Sequence, residues 1–242
     1  MGLLHKVKNT ITSLTGYWIW KRNQLPRGIE LYTDLKHKFN KEKLGIVFDV
    51  GANVGQSIVW YKKYFPQANI YSFEPVKSTF AALEEVAKNY QGVFCENIAL
   101  GNENGEQPIY IQEQSTWNSL VINESIVREV SELVSVKTLD RYMEVNGIKT
   151  IDFLKIDTEG FELEVLKGAH QALSEQCIDF IYCEVGLNEE NSRMSSFFTL
   201  TEHLSKYPYS FYSYYDIQGE GEKWCHGNAL FVSNRQSFQT MR

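Results

Sequence analysis

Ile46-Val47-Phe48-Asp49-Val50-Gly51-Ala52-Asn53-Val54-Gly55-Gln56-Ser57 begins as a short apolar run and breaks at a glycine. Its first five positions are mostly β-branched and aromatic, as expected of a strand buried on both faces of a parallel sheet. Beyond Gly55 the pattern turns helical, from Gln56 to Tyr64, and Pro66 stops it. Strand, glycine turn and helix start make the first half of a βαβ unit. Gly51 is read as the point where backbone approaches a ligand with no Cβ in the way, and Gly55 as the point where helix packs on strand. Asn53 stands where nucleotide loops often carry a middle glycine, and asparagine tolerates the left-handed conformation such a turn needs.

A second strand, Ile70-Tyr71-Ser72-Phe73, ends in Glu74-Pro75. An acid at this distance past the glycine turn is where a ribose diol is gripped, because a carboxylate accepts hydrogen bonds from both hydroxyls. Further strands are expected at Val93 onward, Gln107 to Ile111, Val134 to Lys137, Ile151 to Asp157 and Ile178 to Val185. A final pair, Tyr209 to Tyr215 and Ala229 to Val232, is joined by a glycine-rich loop that carries His226. Between them, Ser78 and Thr138 are candidate helix caps, Gly92, Gly147 and Gly168 candidate stops, and a late helix is expected near Ser195 to Ser205. Ligands in an open parallel sheet sit beyond the carboxyl ends of the strands, so Asp157 should face the same crevice as Gly51 and Glu74.

Three motifs carry a family resemblance: Asp49-Val-Gly-Ala-Asn-Val-Gly55, Phe73-Glu74-Pro75, and Leu154-Lys-Ile-Asp157-Thr-Glu159-Gly160-Phe-Glu162. Together they resemble the FkbM-type S-adenosylmethionine-dependent methyltransferases over roughly residues 46 to 185. The resemblance implies the class I methyltransferase fold: an α/β, Rossmann-like, mostly parallel seven-stranded sheet with helices on both faces and an antiparallel last strand. It implies methyl transfer to a hydroxyl of a sugar, glycan or natural product, with S-adenosyl-L-homocysteine as the other product. It also sets Asn97, Ala99 and Leu100 against the adenine ring. The expected cofactor-binding set is Asp49, Gly51, Asn53, Gly55, Gln56, Ser57, Glu74, Pro75, Asn97, Ala99, Ser119 and Asp157. Asp157-Thr158-Glu159-Gly160 stands where nucleic-acid amino-methylating enzymes carry an Asn-Pro-Pro-Tyr-like segment, which by the same resemblance favours an oxygen acceptor.

The 242 residues suit one α/β domain, here residues 46–242, preceded by a helical cap or extension, residues 1–45. A net charge of −6 is poorly suited to gripping nucleic acid by its phosphates. Cys95, Cys177, Cys183 and Cys225 form no metal-like or CxxC spacing, which fits a reducing cytoplasm. No apolar run is long enough to span a bilayer and no signal-peptide core is evident. In the extension, Leu3, Leu4, Val7 and Ile11 recur at helical spacing, and Tyr17-Trp18-Ile19-Trp20-Lys21-Arg22 follows. A pocket cap, a helix packed on the sheet and a weak peripheral membrane foot all fit this pattern. A homodimer is left open.

A sugar or aliphatic hydroxyl is a poor nucleophile while neutral and needs a base within hydrogen-bond reach. Asp157 is the first candidate, then Glu159 and His226, with Glu184 also in view. A divalent metal held by Asp157 and Glu184 is conceivable, but a third ligand is not evident and no metal is expected. The rival readings are a nicotinamide-dependent oxidoreductase, whose fingerprint needs one more glycine than this loop has, and a non-catalytic S-adenosylmethionine-binding module.

Overall fold

The computed structural model describes residues 3–17, 20–110, 131–188, 194–220 and 223–237. Among these, a seven-stranded sheet forms the centre. Its first strands are β1 (Ile46–Val50), β2 (Asn69–Phe73) and β3 (Val93–Glu96). Three short strands leave the sheet: β4 (Ala99–Leu100), β5 (Gly105–Tyr110) and β6 (Ser131–Lys137). The chain then returns through β7 (Ile151–Ile156), β8 (Ile178–Gly186), β9 (Tyr209–Glu220) and β10 (Lys223–Ser233). The order across the sheet is β3-β2-β1-β7-β8-β10-β9. β10 lies antiparallel between β8 and β9, while β1, β2, β3, β7 and β8 are mutually parallel. This is the class I methyltransferase arrangement. A dinucleotide-binding sheet runs 3-2-1-4-5-6, which leaves no place for an inserted antiparallel strand.

Both faces of the sheet are covered, which is why its strands read as near-continuous apolar runs. Phe48, Leu154, Ile156, Ile181 and Phe231 belong to one core. Val47, Ile70, Phe153, Phe180 and Leu230 belong to the other. The alternation is the strand period of two, with neighbours on one strand sent to opposite faces. Helices α1 (Leu3–Thr15), α2 (Leu31–Lys38), α3 (Gln56–Tyr64) and α4 (Lys77–Ala87) precede the small strands, and α5 (Leu139–Val145) follows them. Thr138 caps α5 as expected, its Oγ1 accepting from the Arg141 N–H. Next come α6 (Glu162–Lys167), α7 (His170–Ser174), α8 (Phe197–Leu204) and α9 (Asn234–Ser237).

Four expectations change. Val76, not Ser78, is the N-cap position of α4, and it makes no side-chain cap bond. Ala99–Leu100 is not a loop continuing β3: it pairs with β6, and β4-β6-β5 form a second sheet around Val76, Ile109, Val134 and Val136. The final hairpin is longer than its apolar segments, so His226 lies in β10 opposite Gly186 rather than in a loop. Before β1 it is α2 that packs on the body, through buried Leu35 and through Asp34, which accepts from the Tyr215 hydroxyl at 2.7 Å. No helix among the described residues is long and apolar enough to cross a membrane.

Candidate active site

The carboxyl ends of β1, β2 and β7 meet at one edge, and backbone hydrogen bonds fix the meeting. Ala52 N–H donates to Phe73 O (3.0 Å), Asp157 N–H to Val50 O (3.0 Å), and Glu74 N–H to Glu96 O (3.1 Å). A cavity of about 410 Å³ opens there. Gly51, Asn53, Gln56 and Ser57 line it from the turn after β1, and Glu74 and Pro75 from the end of β2. Asp157, Glu159 and Glu184 line it from the ends of β7 and β8. Ile98, Ala99, Leu100 and Ile109 give it an apolar wall, contributed in part by the second sheet.

Glu74 is the best-defined binding group. It is buried, its Oε2 accepts from Asn53 N–H at 3.0 Å and its Oε1 from Val76 N–H at 3.0 Å. Each oxygen keeps further acceptor capacity. Burial raises its carboxyl to about 7, against the pull of those two N–H groups. A pair of ligand hydroxyls donating to it would favour the charged form. Asn53 is left-handed, at φ 49°, as its place in the turn requires. An acid with spare acceptor sites beside an apolar wall therefore fits the ribose and adenine of S-adenosylmethionine.

Several predicted residues sit at the site with different jobs. Gly51 lines the cavity, but a Cβ there would stand 1.8 Å from the Asp157 carbonyl oxygen. The crossing of two backbone segments by itself demands a glycine here. A Cβ on Gly55 would press on Leu83 and Val86, each at 3.2 Å, so this glycine seats α3 against α4 rather than against β1. Asn97 spends its amide donors on Glu74 O and Pro75 O, both at 2.9 Å, and so braces the Glu74–Pro75 corner without lining the cavity. Asp49 lies beneath the floor, fully buried. Ser119 lies outside the described residues.

Lys155, which sequence reasoning passed over, links floor and mouth. Its ammonium is 3.3 Å from Asp49 Oδ1 and 3.1 Å from Asp157 Oδ2. The register explains the triad: Lys155 is the direct partner of Asp49 across β1 and β7. Asp157 follows two residues later, on the same side of the strand line. Burial works to lower the Lys155 ammonium, but the charges of Asp157 and Asp49 outweigh it and hold it above the usual lysine range. Burial raises Asp49, with Lys155 opposing. For Asp157, burial pushes upward, yet Lys155 and a hydrogen bond from Glu184 hold the carboxyl below its ordinary range. Glu184 moves the other way, raised by burial and then by the Asp157 charge and hydrogen bond. The two carboxyls are thus driven apart, Asp157 toward its charged form and Glu184 toward its protonated form.

Carboxylate oxygens of Asp157, Glu159 and Glu184 lie within 4.8 Å of one another, so Glu159 stands where a third metal ligand would be needed. His226 does not line the cavity, though its charge acts on Asp157. Glu162, an acid in the first turn of α6, is fully buried and ties the loop together. It accepts from Thr158 N–H and Gly160 N–H at 3.0 Å and from Ser195 N–H at 3.1 Å. This loop holds Glu159 at φ 52°. The only sequence signal for Lys155 and Glu162 was their place in the third motif.

Residues 49–211 match the family described as the methyltransferase FkbM domain. "Methyltransferase 1" of Beauveria bassiana is 29% identical over 142 residues, 50% of this chain and 57% of that protein. The hexuronic acid methyltransferase AglP of Haloferax volcanii is 28% identical over 148 residues, 60% of this chain and 57% of AglP. The 31-O-demethyl-FK506 methyltransferase FkbM of Streptomyces tacrolimicus is 26% identical over 175 residues, 59% of this chain and 67% of that protein. These matches thus span between 57% and 67% of the relatives' lengths.

Proposed function

The chain belongs to the FkbM methyltransferase family, and we propose that it transfers the methyl group of S-adenosylmethionine to a hydroxyl of a sugar, glycan or natural-product small molecule. The observation that carries this reading is the convergence of Glu74, the Gly51–Ser57 turn and the Asp157–Glu184 pair on one cavity. When bound, S-adenosylmethionine supplies an electrophilic methyl carbon. Glu74 accepts the two ribose hydroxyls, and Ala99, Leu100 and Ile109 offer the base an apolar wall. Much of the rate then comes from positioning the acceptor oxygen. Asp157, kept charged by Lys155, is a strong hydrogen-bond acceptor and a weak base, so its task is to orient the hydroxyl. Glu159 stands beside it as the group that takes the proton. Methyl transfer to a neutral alcohol needs no metal in this scheme, although the three carboxylates have the spacing to hold one.

Two relatives support an oxygen or sugar-type acceptor by name: one acts on 31-O-demethyl-FK506 and one on a hexuronic acid. The net charge of −6 weighs against nucleic acid as acceptor, and four free cysteines support a reducing cytoplasm. Neither a nicotinamide-dependent nor a non-catalytic reading draws support from the family or from the sheet order. The test is methyl transfer from S-adenosylmethionine to panels of glycans, sugar acids and polyketide-like alcohols, read as a mass increase of one methylene. Methylation of an alcohol, lost in Glu159→Gln and reduced in Asp157→Asn with cofactor binding intact, is the expected result. Methylation confined to amines or to nucleic acid would overturn it.

A further inference from the structure

The amino-terminal segment is unlike the rest of the chain in charge and in packing. The first acid in the sequence is Glu30; before it stand Lys6, Lys8, Lys21, Arg22 and Arg27, in a protein of net charge −6. α1 spans Leu3–Thr15 and holds Lys6 and Lys8. Val7, Ile11 and Leu14, spaced to share one helical face, are 50%, 39% and 80% exposed. Tyr17 (75% exposed) and Trp20 continue the apolar surface beside Lys21. No described residue before Val50 lines the cavity.

The segment is nonetheless anchored. Arg27 sits over the Tyr212 ring at 5.1 Å and donates to Tyr212 O at 3.3 Å. Gly28 N–H donates to the buried Asp34 at 2.8 Å. Arg22 pairs with Glu30 at 3.7 Å. Ahead of this anchor in the chain comes an amphipathic helix with basic residues and no acids, followed by Tyr17 and Trp20.

We propose that α1, with Tyr17 and Trp20, docks the protein on an anionic lipid surface. Each part of the argument is chemical. An interfacial helix buries an apolar face at the acyl boundary and keeps lysines at the headgroups. Trp and Tyr favour the headgroup level, where an apolar ring and a polar edge are both satisfied. Juxtamembrane Lys and Arg are attracted to an anionic leaflet. The acidic body is repelled by that leaflet, so the basic segment is the part that faces it. A second copy of this chain offers less, because two such segments would bring like charges together.

The test uses the full chain in flotation with vesicles of phosphatidylcholine alone and of phosphatidylcholine mixed with phosphatidylglycerol. The protein floats with the mixed vesicles at low salt and is released by high salt. Lys6→Glu with Lys8→Glu lowers partitioning by about tenfold or more. Ile11→Glu with Leu14→Glu abolishes it while S-adenosylhomocysteine still raises the melting temperature, because these exposed residues touch neither core nor cavity. Failure to float at low salt overturns the proposal. So does equal binding by the Ile11/Leu14 variant, or a dimer lost in that variant without any vesicle binding.

Discussion

Glu74 and Lys155 show how much a single buried charge can direct. Glu74 is held near neutrality, its carboxyl at about 7 because burial penalises the charge. The sign follows: the protonated form is favoured in the folded, ligand-free protein, so Glu74 contributes stability at low pH that is lost as pH rises through about 7. A diol donating to the carboxylate selects the ionised form. Calorimetric affinity for S-adenosylhomocysteine should therefore climb as pH passes through about 7. Glu74→Gln should lose about 1–3 kcal/mol of that affinity and flatten the climb, since one amide end cannot accept from the backbone. Lys155→Met should remove about 3 kcal/mol of folding stability by stranding the fully buried Asp49 carboxyl beside the partly exposed Asp157, measured by denaturant unfolding. The same change should raise the Asp157 carboxyl and shift the acid limb of kcat/KM to higher pH, whereas a purely structural lysine would leave the limb in place.

At the level of elements, the site depends on how closely the turn after β1 can approach the end of β7. Gly51 has φ 78° and no room for a methyl group beside the Asp157 carbonyl. Gly51→Ala should cost about 2–5 kcal/mol, the sum of a left-handed alanine and an overpacked crossing, read as a lower unfolding midpoint. The element boundaries were largely legible from the residues. α3 runs Gln56–Tyr64 and α5 runs Leu139–Val145 behind its Thr138 cap, because spacing and caps are local signals. The second sheet was not legible. Its strands pair Ala99 with Val136 and Gly105 with Val136, across a long intervening stretch. Nor was the full length of the last hairpin, whose tip is too polar to stand out as strand.

For the whole molecule, one cavity at the carboxyl edge of a sheet with an inserted antiparallel strand implies a sulfonium nucleoside rather than a dinucleotide. S-adenosylhomocysteine at a hundredfold excess over its dissociation constant should stabilise the fold by about 2.7 kcal/mol in thermal unfolding, while NAD should leave the midpoint unchanged. The two ligands separate the readings that the glycine turn alone left open. What the sequence by itself determined was the βαβ start, the acid at Glu74, the strand ending in Asp157 and the family to which these motifs point. All are carried by near neighbours in the chain: periodicity, turn residues and motif spacing. Tertiary structure alone decided that Gly51 answers to Asp157, that Asn97 braces a corner, that Lys155 charges the site, and that Val7, Ile11 and Leu14 of α1 stay exposed. Each depends on which strands lie side by side and in what register, and register is set by distant parts of the chain packing together.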